Sequence, residues 1–201
     1  MRGSVLLFAF FLITGQTLAQ NDGAWRDSLQ AYWDRIEAEY RDPVHSPLPE
    51  QYRADFKNLD RYPPDARFHV QARYTPKTGE AFPMRTSGTR TPSYRSMGTL
   101  TFRLGGAERH LTVYQNIDLV RNPTYANHLF VPFTDLTNGE TTYGGGRYLE
   151  LEGPLGETVD LDLNRAYNPY CAYGGAYSCP IPPAENHLEV AVEAGVKAFA
   201  H

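Results

Sequence analysis

The chain has 201 residues, 19 basic against 23 acidic side chains for a formal charge of −4, and only 2 cysteines. A mildly acidic chain with no basic run does not attract phosphate backbones, so nucleic acid is excluded as an expected partner. With 17 Gly, 15 Pro and 14 Tyr, the composition favours strands joined by tight turns over a helical bundle.

Residues 1–19 read as a secretory signal peptide. Arg2 supplies a positive start, Val5–Ile13 an apolar run, and Thr17 and Ala19 the small residues of a cleavage site after Ala19. The apolar run falls short of the ~20 residues that span a bilayer. No stable membrane insertion is expected, and the expected location is periplasmic or secreted.

Residues 20–45 form the expected N-terminal helix. Trp25, Leu29, Trp33, Ile36 and Tyr40 recur at spacings of three and four, which is one face of an α-helix. Asp22 is placed to cap its start and Pro43 to stop it. The opposite face is charged and expected to be solvated.

Residues 46–201 are expected to form one β domain. After the linker Ser46–Leu59, "RFHVQARY" alternates, with Phe68, Val70, Ala72 and Tyr74 on one side. "TLTFRL" repeats the alternation, and "GGAE" turns it back into "RHLTVYQNI" as a hairpin. "AFPMRT", "HLFVPF", "GRYLELE", "TVDLDLN" and "NHLEVAVEA" complete about eight strands, and "GPLGE" is expected to close a longer hairpin between two of them. The fold expected is mainly β: a single antiparallel β barrel or sandwich with an N-terminal α-helix packed against it.

Four stretches could carry chemistry. Cys171 and Cys179 are close enough to pair in an oxidising compartment, and Gly174 and Gly175 let the chain fold back between them. Two free thiols, or a soft-metal site with His187, are the alternatives. The cysteine spacing does not match that of structural zinc, and the histidines show no metal pattern, so neither metal nor another cofactor is expected. Gly144–Gly146 is not a phosphate loop, because no Lys-Ser/Thr and no helix follow; a bulge or a close approach of backbone is the better account. Arg147 could clamp an anion, or pair with Asp135, Glu140 or a strand neighbour. Ser87, between basic residues, is either an anion contact or a loop residue. Glu185 and Asn186, where a proline run enters a strand, could act as a base with an orienting amide, or cap a turn.

These stretches are also where the chain resembles a known family. "FVPFTDLTNGETTYGGGRYLEL", "DLNRAYNPYCAY" and "YSCPIPPAENHLEVAVEAG", preceded by "FKNLDRYPPD" and Thr86–Gly88, resemble the bacterial family known as domain of unknown function 1684. The resemblance runs from Ser46 to Lys197, and the export signal looks like that of a member from a Gram-negative bacterium. It implies no established activity. It marks Asp135, Tyr143, Arg147, Asn164, Tyr167, Asn168, Cys171, Cys179, Glu185, Asn186 and Lys197, among others, as motif positions. The chain departs from the family pattern at Val196, where an acid is usual, and at Leu163, where Phe is usual.

Three functions compete. The first is binding of a small polar or anionic molecule in a pocket lined by Tyr143, Arg147, Asn164, Tyr167, Asn168, Tyr170, Glu185 and Asn186. The second is a hydrolase using Glu185 or Asp135 as general base. The third is a structural or envelope-interaction protein in which the motif is a hydrogen-bonded scaffold. No catalytic residue can be named from the sequence alone.

Overall fold

The computed structural model describes residues 13–200, with side chains from residue 22 onward. The n-region and most of the apolar run of the expected signal peptide therefore lie outside the described residues. Among the described residues no helix is long and apolar enough to cross a membrane.

Helix α1 runs Ile13–Arg41 and ends before Pro43, whose ring cannot continue it. The helix continues N-terminal of Asp22, so Asp22 is not its cap; its carboxylate instead accepts from Arg26 Nε at 3.1 Å, one turn on. Leu29, Trp33 and Tyr40 are buried, with Trp25 and Ile36 packed beside them, as the spacing predicts. They meet Leu48, Leu59, Ala172, Tyr173 and Val196 in one apolar cluster. Glu37 is buried on the same helix; it pairs with Arg61 at 3.2 Å and accepts from Leu59 N at 3.1 Å.

The strands are β1 (His69–Pro76), β2 (Phe82–Pro83), β3 (Ser93–Leu104), β4 (Ala107–Asn116), β5 (His128–Asp135), β6 (Arg147–Glu152), β7 (Thr158–Asp162) and β8 (His187–Leu188). They form one curled eight-stranded sheet, a half-barrel, in the order β6-β5-β4-β3-β1-β7, with β2 on β3 and β8 on β5. Pairing along that order is antiparallel. The inward residues Ala72, Leu100, Phe102, Leu111, Val113, Val131, Phe133, Leu149 and Leu161 make the main core. Alternation puts them on one face, while Tyr94, Tyr114, Phe130 and Tyr148 of the opposite face pack with Met84 in a second buried cluster.

Four expectations change. "GPLGE" does not join paired strands, because β6 and β7 sit at opposite ends of the sheet order. The strand expected over "NHLEVAVEA" is only His187–Leu188 and runs parallel to β5. Beyond it the chain leaves the ladder: the Val192 and Ala194 carbonyls accept from Arg147, Val192 N donates to Asp135, and Val196 N donates to Ala166 O. "AFPMRT" yields only Phe82–Pro83. "TLTFRL" is the end of the longer β3, which carries an irregularity between Ser96 and Gly98.

Candidate functional site

The family-motif residues fall into two groups: those sealed inside the fold and those that reach a cleft. The sealed group begins with Arg147, the first residue of β6, and Asp135, the last of β5. Both side chains are fully buried and pair at 2.8 Å. The other Asp135 oxygen accepts from Thr137 N (2.9 Å), Thr137 Oγ1 (2.6 Å) and Val192 N (3.1 Å). The Arg147 guanidinium donates to the carbonyls of Val192, at 2.8 Å, and Ala194. Burial pulls its pKa down and the Asp135 charge pushes back; arginine is so basic to begin with that it keeps its charge in proteins. Of the two readings of Arg147, the ion pair to Asp135 is the one observed. Asp135 is sealed from solvent and its carboxylate is held by four donors, so it is not presented to a substrate as a base.

Asn186 is fully buried and acts as a piece of ladder. Its Oδ1 accepts from Thr112 N (2.7 Å), and its Nδ2 donates to Thr112 O (2.9 Å) and Pro132 O (2.7 Å). Pro132 has no N–H to offer β4, and β4 and β5 pair in register only at Tyr114 and Phe130. The Asn186 amide closes that gap. Asn164 bonds both main-chain groups of Asp65, at 2.9 and 3.0 Å, and Asp162 at 2.8 Å. It also borders a shallow cleft of 270 Å³ beside Trp33 and Pro63. Asn168 is fully buried and donates to Lys197 O at 2.8 Å.

Glu185 is exposed and accepts from Tyr114 Oη at 2.7 Å; Tyr143 packs half-buried against the α1 cluster. Neither lines a cleft with Arg147. Gly146, at φ +88°, has its Cα so close to Phe133 O that a Cβ would lie 2.6 Å from it, the close backbone approach expected of the glycine run. The eight residues proposed for one pocket are therefore not brought together.

Two of them, Tyr167 and Tyr170, do line a common cleft of 380 Å³ between α1, β6 and the loop that carries the cysteines. Cys171 and Cys179 are bonded, and Cys179 is part of the cleft wall. Gly174 and Gly175 both take positive φ between them, the reversal that glycine permits. Ser87, read as an anion contact or a loop residue, serves this corner: its Oγ lies 3.1 Å from Cys171 Sγ and accepts from Cys179 N at 3.1 Å.

The other cleft residues were missed. Tyr32, Arg35, Ile36 and Glu39 come from α1, and Arg90, Tyr148, Glu150 and Tyr177 from the β domain. A signal did exist in the helix. Positions 32, 35 and 39 form a second stripe beside the apolar one, at spacings of three and four.

Hydrogen bonds organise the carboxylates. Glu39 accepts from Tyr170 Oη, and Glu150 accepts from Tyr167 Oη at 2.6 Å and lies 3.4 Å from His128 Nε2. Burial opposes ionisation of Glu150, but the hydrogen bonds from His128 and Tyr167 and the charges of His128 and Arg35 outweigh it, so its pKa is lowered. Burial, followed by the nearby carboxylates, raises Tyr167, and burial with the Glu39 hydrogen bond raises Tyr170. Both phenols stay neutral donors at ordinary pH. Arg35 lies over the Tyr32 ring at 5.6 Å, and Arg90 donates to Ser178 O at 3.4 Å. Neither guanidinium is ion-paired with a carboxylate among the described residues.

No match was found among curated proteins. An uncharacterised protein of the archaeon Haloarcula marismortui, whose structure was solved in solution by NMR, is similar at 38% identity and TM-score 0.70, over 89% of this chain and 96% of that one. The likeness thus reaches beyond bacteria. Residues 54–197 match the model of a family described as a protein of unknown function, DUF1684. That span contains Arg90, Tyr148, Glu150, Tyr167, Tyr170 and the whole buried Asp135–Arg147 network, while Tyr32, Arg35 and Glu39 precede it. With most of its length and its buried polar signature inside the match, the chain belongs to the DUF1684 family.

Proposed function

We propose that the protein is an exported binding protein for a small polar molecule carrying an anionic group, held in the cleft between α1 and β6. One observation carries the reading: Arg35 and Arg90, two guanidinium groups with no carboxylate ion pair among the described residues, border the same cleft as Tyr167 and Tyr170. Guanidinium binds carboxylate or phosphate with two parallel hydrogen bonds. The tyrosine rings add flat apolar faces with a polar rim, and a cleft of 380 Å³ suits a ligand of small-metabolite size. The Cys171–Cys179 bond supports export, because such bonds persist in oxidising compartments.

In this reading Tyr167 and Cys179 bring the family signature to the ligand cleft, and its other polar residues do not touch the ligand. Asp135, Arg147, Asn164, Asn168 and Asn186 hold the loops and the C-terminal segment in place, which accounts for their burial and favours the scaffold role for the motif itself.

A thermal-shift screen of sugar phosphates, dicarboxylates and aromatic acids tests the proposal. A true ligand raises Tm for the wild type, and the shift is lost in Arg35→Ala and Arg90→Ala. If every stabilising compound acts equally on both variants, the cleft is not the site.

A further inference from the structure

We propose that the open seam between β6 and β7 is a strand-addition site for an extended basic peptide, which pairs through its main chain with the outer edge of β6 at Glu150 and Glu152. β6 and β7 are joined by only five residues, Gly153–Glu157, yet end opposite sides of the sheet order. Each has one edge on which no strand pairs among the described residues.

Two sets of bonds give the main-chain directions on β6. Gly153 N donates toward β5, to Asn127 O at 2.8 Å. Tyr148 N donates the other way, to Tyr167 O at 2.9 Å, and Tyr148 O accepts from Tyr167 N at 3.0 Å. Direction alternates along an antiparallel strand. Glu150 and Glu152, two and four residues past Tyr148, therefore aim their N–H and C=O groups into the seam.

The Tyr148–Tyr167 bridge is antiparallel, so the chain already adds to this edge, for one residue. The residue that would next face Glu150 is Arg165, and Leu163–Arg165 is a turn of 3-10 helix. That turn lifts the chain off the edge. A cleft of 540 Å³ lies there, with Leu149–Glu152 on one side and Asp160–Asp162 on the other. At about 3.3 Å per residue, those four β6 residues offer about 13 Å of edge, room for three or four peptide residues. Unpaired edges of this kind are what peptides use in β-augmentation.

Charge selects the partner. Glu150, Glu152, Asp160 and Asp162 outnumber Arg35 and Arg165 in the cleft wall, and Arg165 is already turned toward Asp162 and Ser28. A peptide with alternating basic side chains fits this surface.

The test needs no knowledge of the small-molecule ligand. The probes are the capped peptide Lys-Val-Lys-Val-Lys, its Glu-Val-Glu-Val-Glu counterpart, and two N-methylated forms of the basic peptide, one blocked at the lysine nitrogens and one at the valine nitrogens. They are titrated into the full chain and followed by amide NMR and hydrogen exchange. The Glu150 and Glu152 amides should exchange freely in the unbound protein and gain about tenfold or more protection with the basic peptide. The acidic peptide and one of the methylated forms should bind about tenfold or more weakly. Three results overturn the proposal: Glu150 and Glu152 protected as well as Leu149 and Leu151 before any peptide is added, no binding of the basic peptide at about 1 mM, or equal binding by both methylated forms.

Discussion

Replacing Arg147 by methionine removes a buried charge while keeping most of the side-chain volume. The Asp135 carboxylate, fully buried, then loses its cationic partner, and the carbonyls of Val192 and Ala194 lose their donors. Breaking a buried ion pair by removing one partner costs about 3–5 kcal/mol, against a total stability of about 5–15 kcal/mol for a domain. For a chain of this size each kcal/mol moves Tm by about 2–4 °C, so Arg147→Met should melt about 6–20 °C lower. Urea unfolding followed by the fluorescence of Trp25 and Trp33, both in or beside the α1 cluster, measures the loss. Arg147→Met combined with Asp135→Leu should recover only part of it, because Thr137 and Val192 still lose their acceptor. Hydrogen exchange at the Val192 amide should rise in either variant, while affinity for any ligand of the α1 cleft stays within about twofold of wild type. A loss below about 1 kcal/mol, the scale of an exposed pair, would refute the scaffold role of the Asp135–Arg147 lock.

Other outcomes follow from single positions. Gly146→Ala and Gly139→Ala both place alanine at positive φ, but a Cβ at Gly146 meets Phe133 O at 2.6 Å whereas Gly139 faces open space; the second should lose about 1–2 kcal/mol and the first clearly more in the same urea assay. Cys171→Ser with Cys179→Ser opens a loop with a sequence separation of 8, worth about 2.5 kcal/mol in the chain-entropy model. The same shift should appear on adding reductant to the wild type and be absent in the double variant. Glu150 has its pKa lowered in the folded state, so its contribution is present above the unfolded value near 4.5 and is lost as pH falls through the lower folded value. Glu150→Gln should therefore flatten the acid side of the Tm–pH curve below about pH 4.5. The effect should be small, since the side chain is 54% exposed.

How much was legible beforehand differs between the fold and the cleft. The α1 stripe from Trp25 to Tyr40 could be read directly, because a helix writes its buried face into a period that neighbours cannot alter. The same holds for the hairpin at Gly105–Gly106, both at positive φ. The β8 region differs from its pattern: "HLEVAV" alternates, but the Val192 and Ala194 carbonyls accept from the Arg147 side chain in place of a strand, and alternation does not reveal that substitution. The motif alone does not locate the cleft, because most of its polar residues are interior. Tyr167 and Tyr170 reach the cleft; Arg147, Asn168 and Asn186 do not. Nothing local separates Arg147 from Arg90. Each follows a glycine-containing loop, and only the position of Asp135 and of the Val192–Ala194 carbonyls, 45 to 47 residues away, places one in the core.

By itself the sequence determined the helix and its buried face, the number of strands and most of their inward residues, the short Cys171–Cys179 loop and the family. Those properties depend on local period and on neighbours within a few residues. Tertiary structure alone decided the strand order, which sets β6 and β7 apart despite their five-residue link, and with it the open seam. It also decided which polar side chains are sealed and which meet solvent. Main-chain ladders are chemically alike for every residue, and a buried charge is stable only where distant groups supply its partners. Neither choice leaves a local mark in the chain.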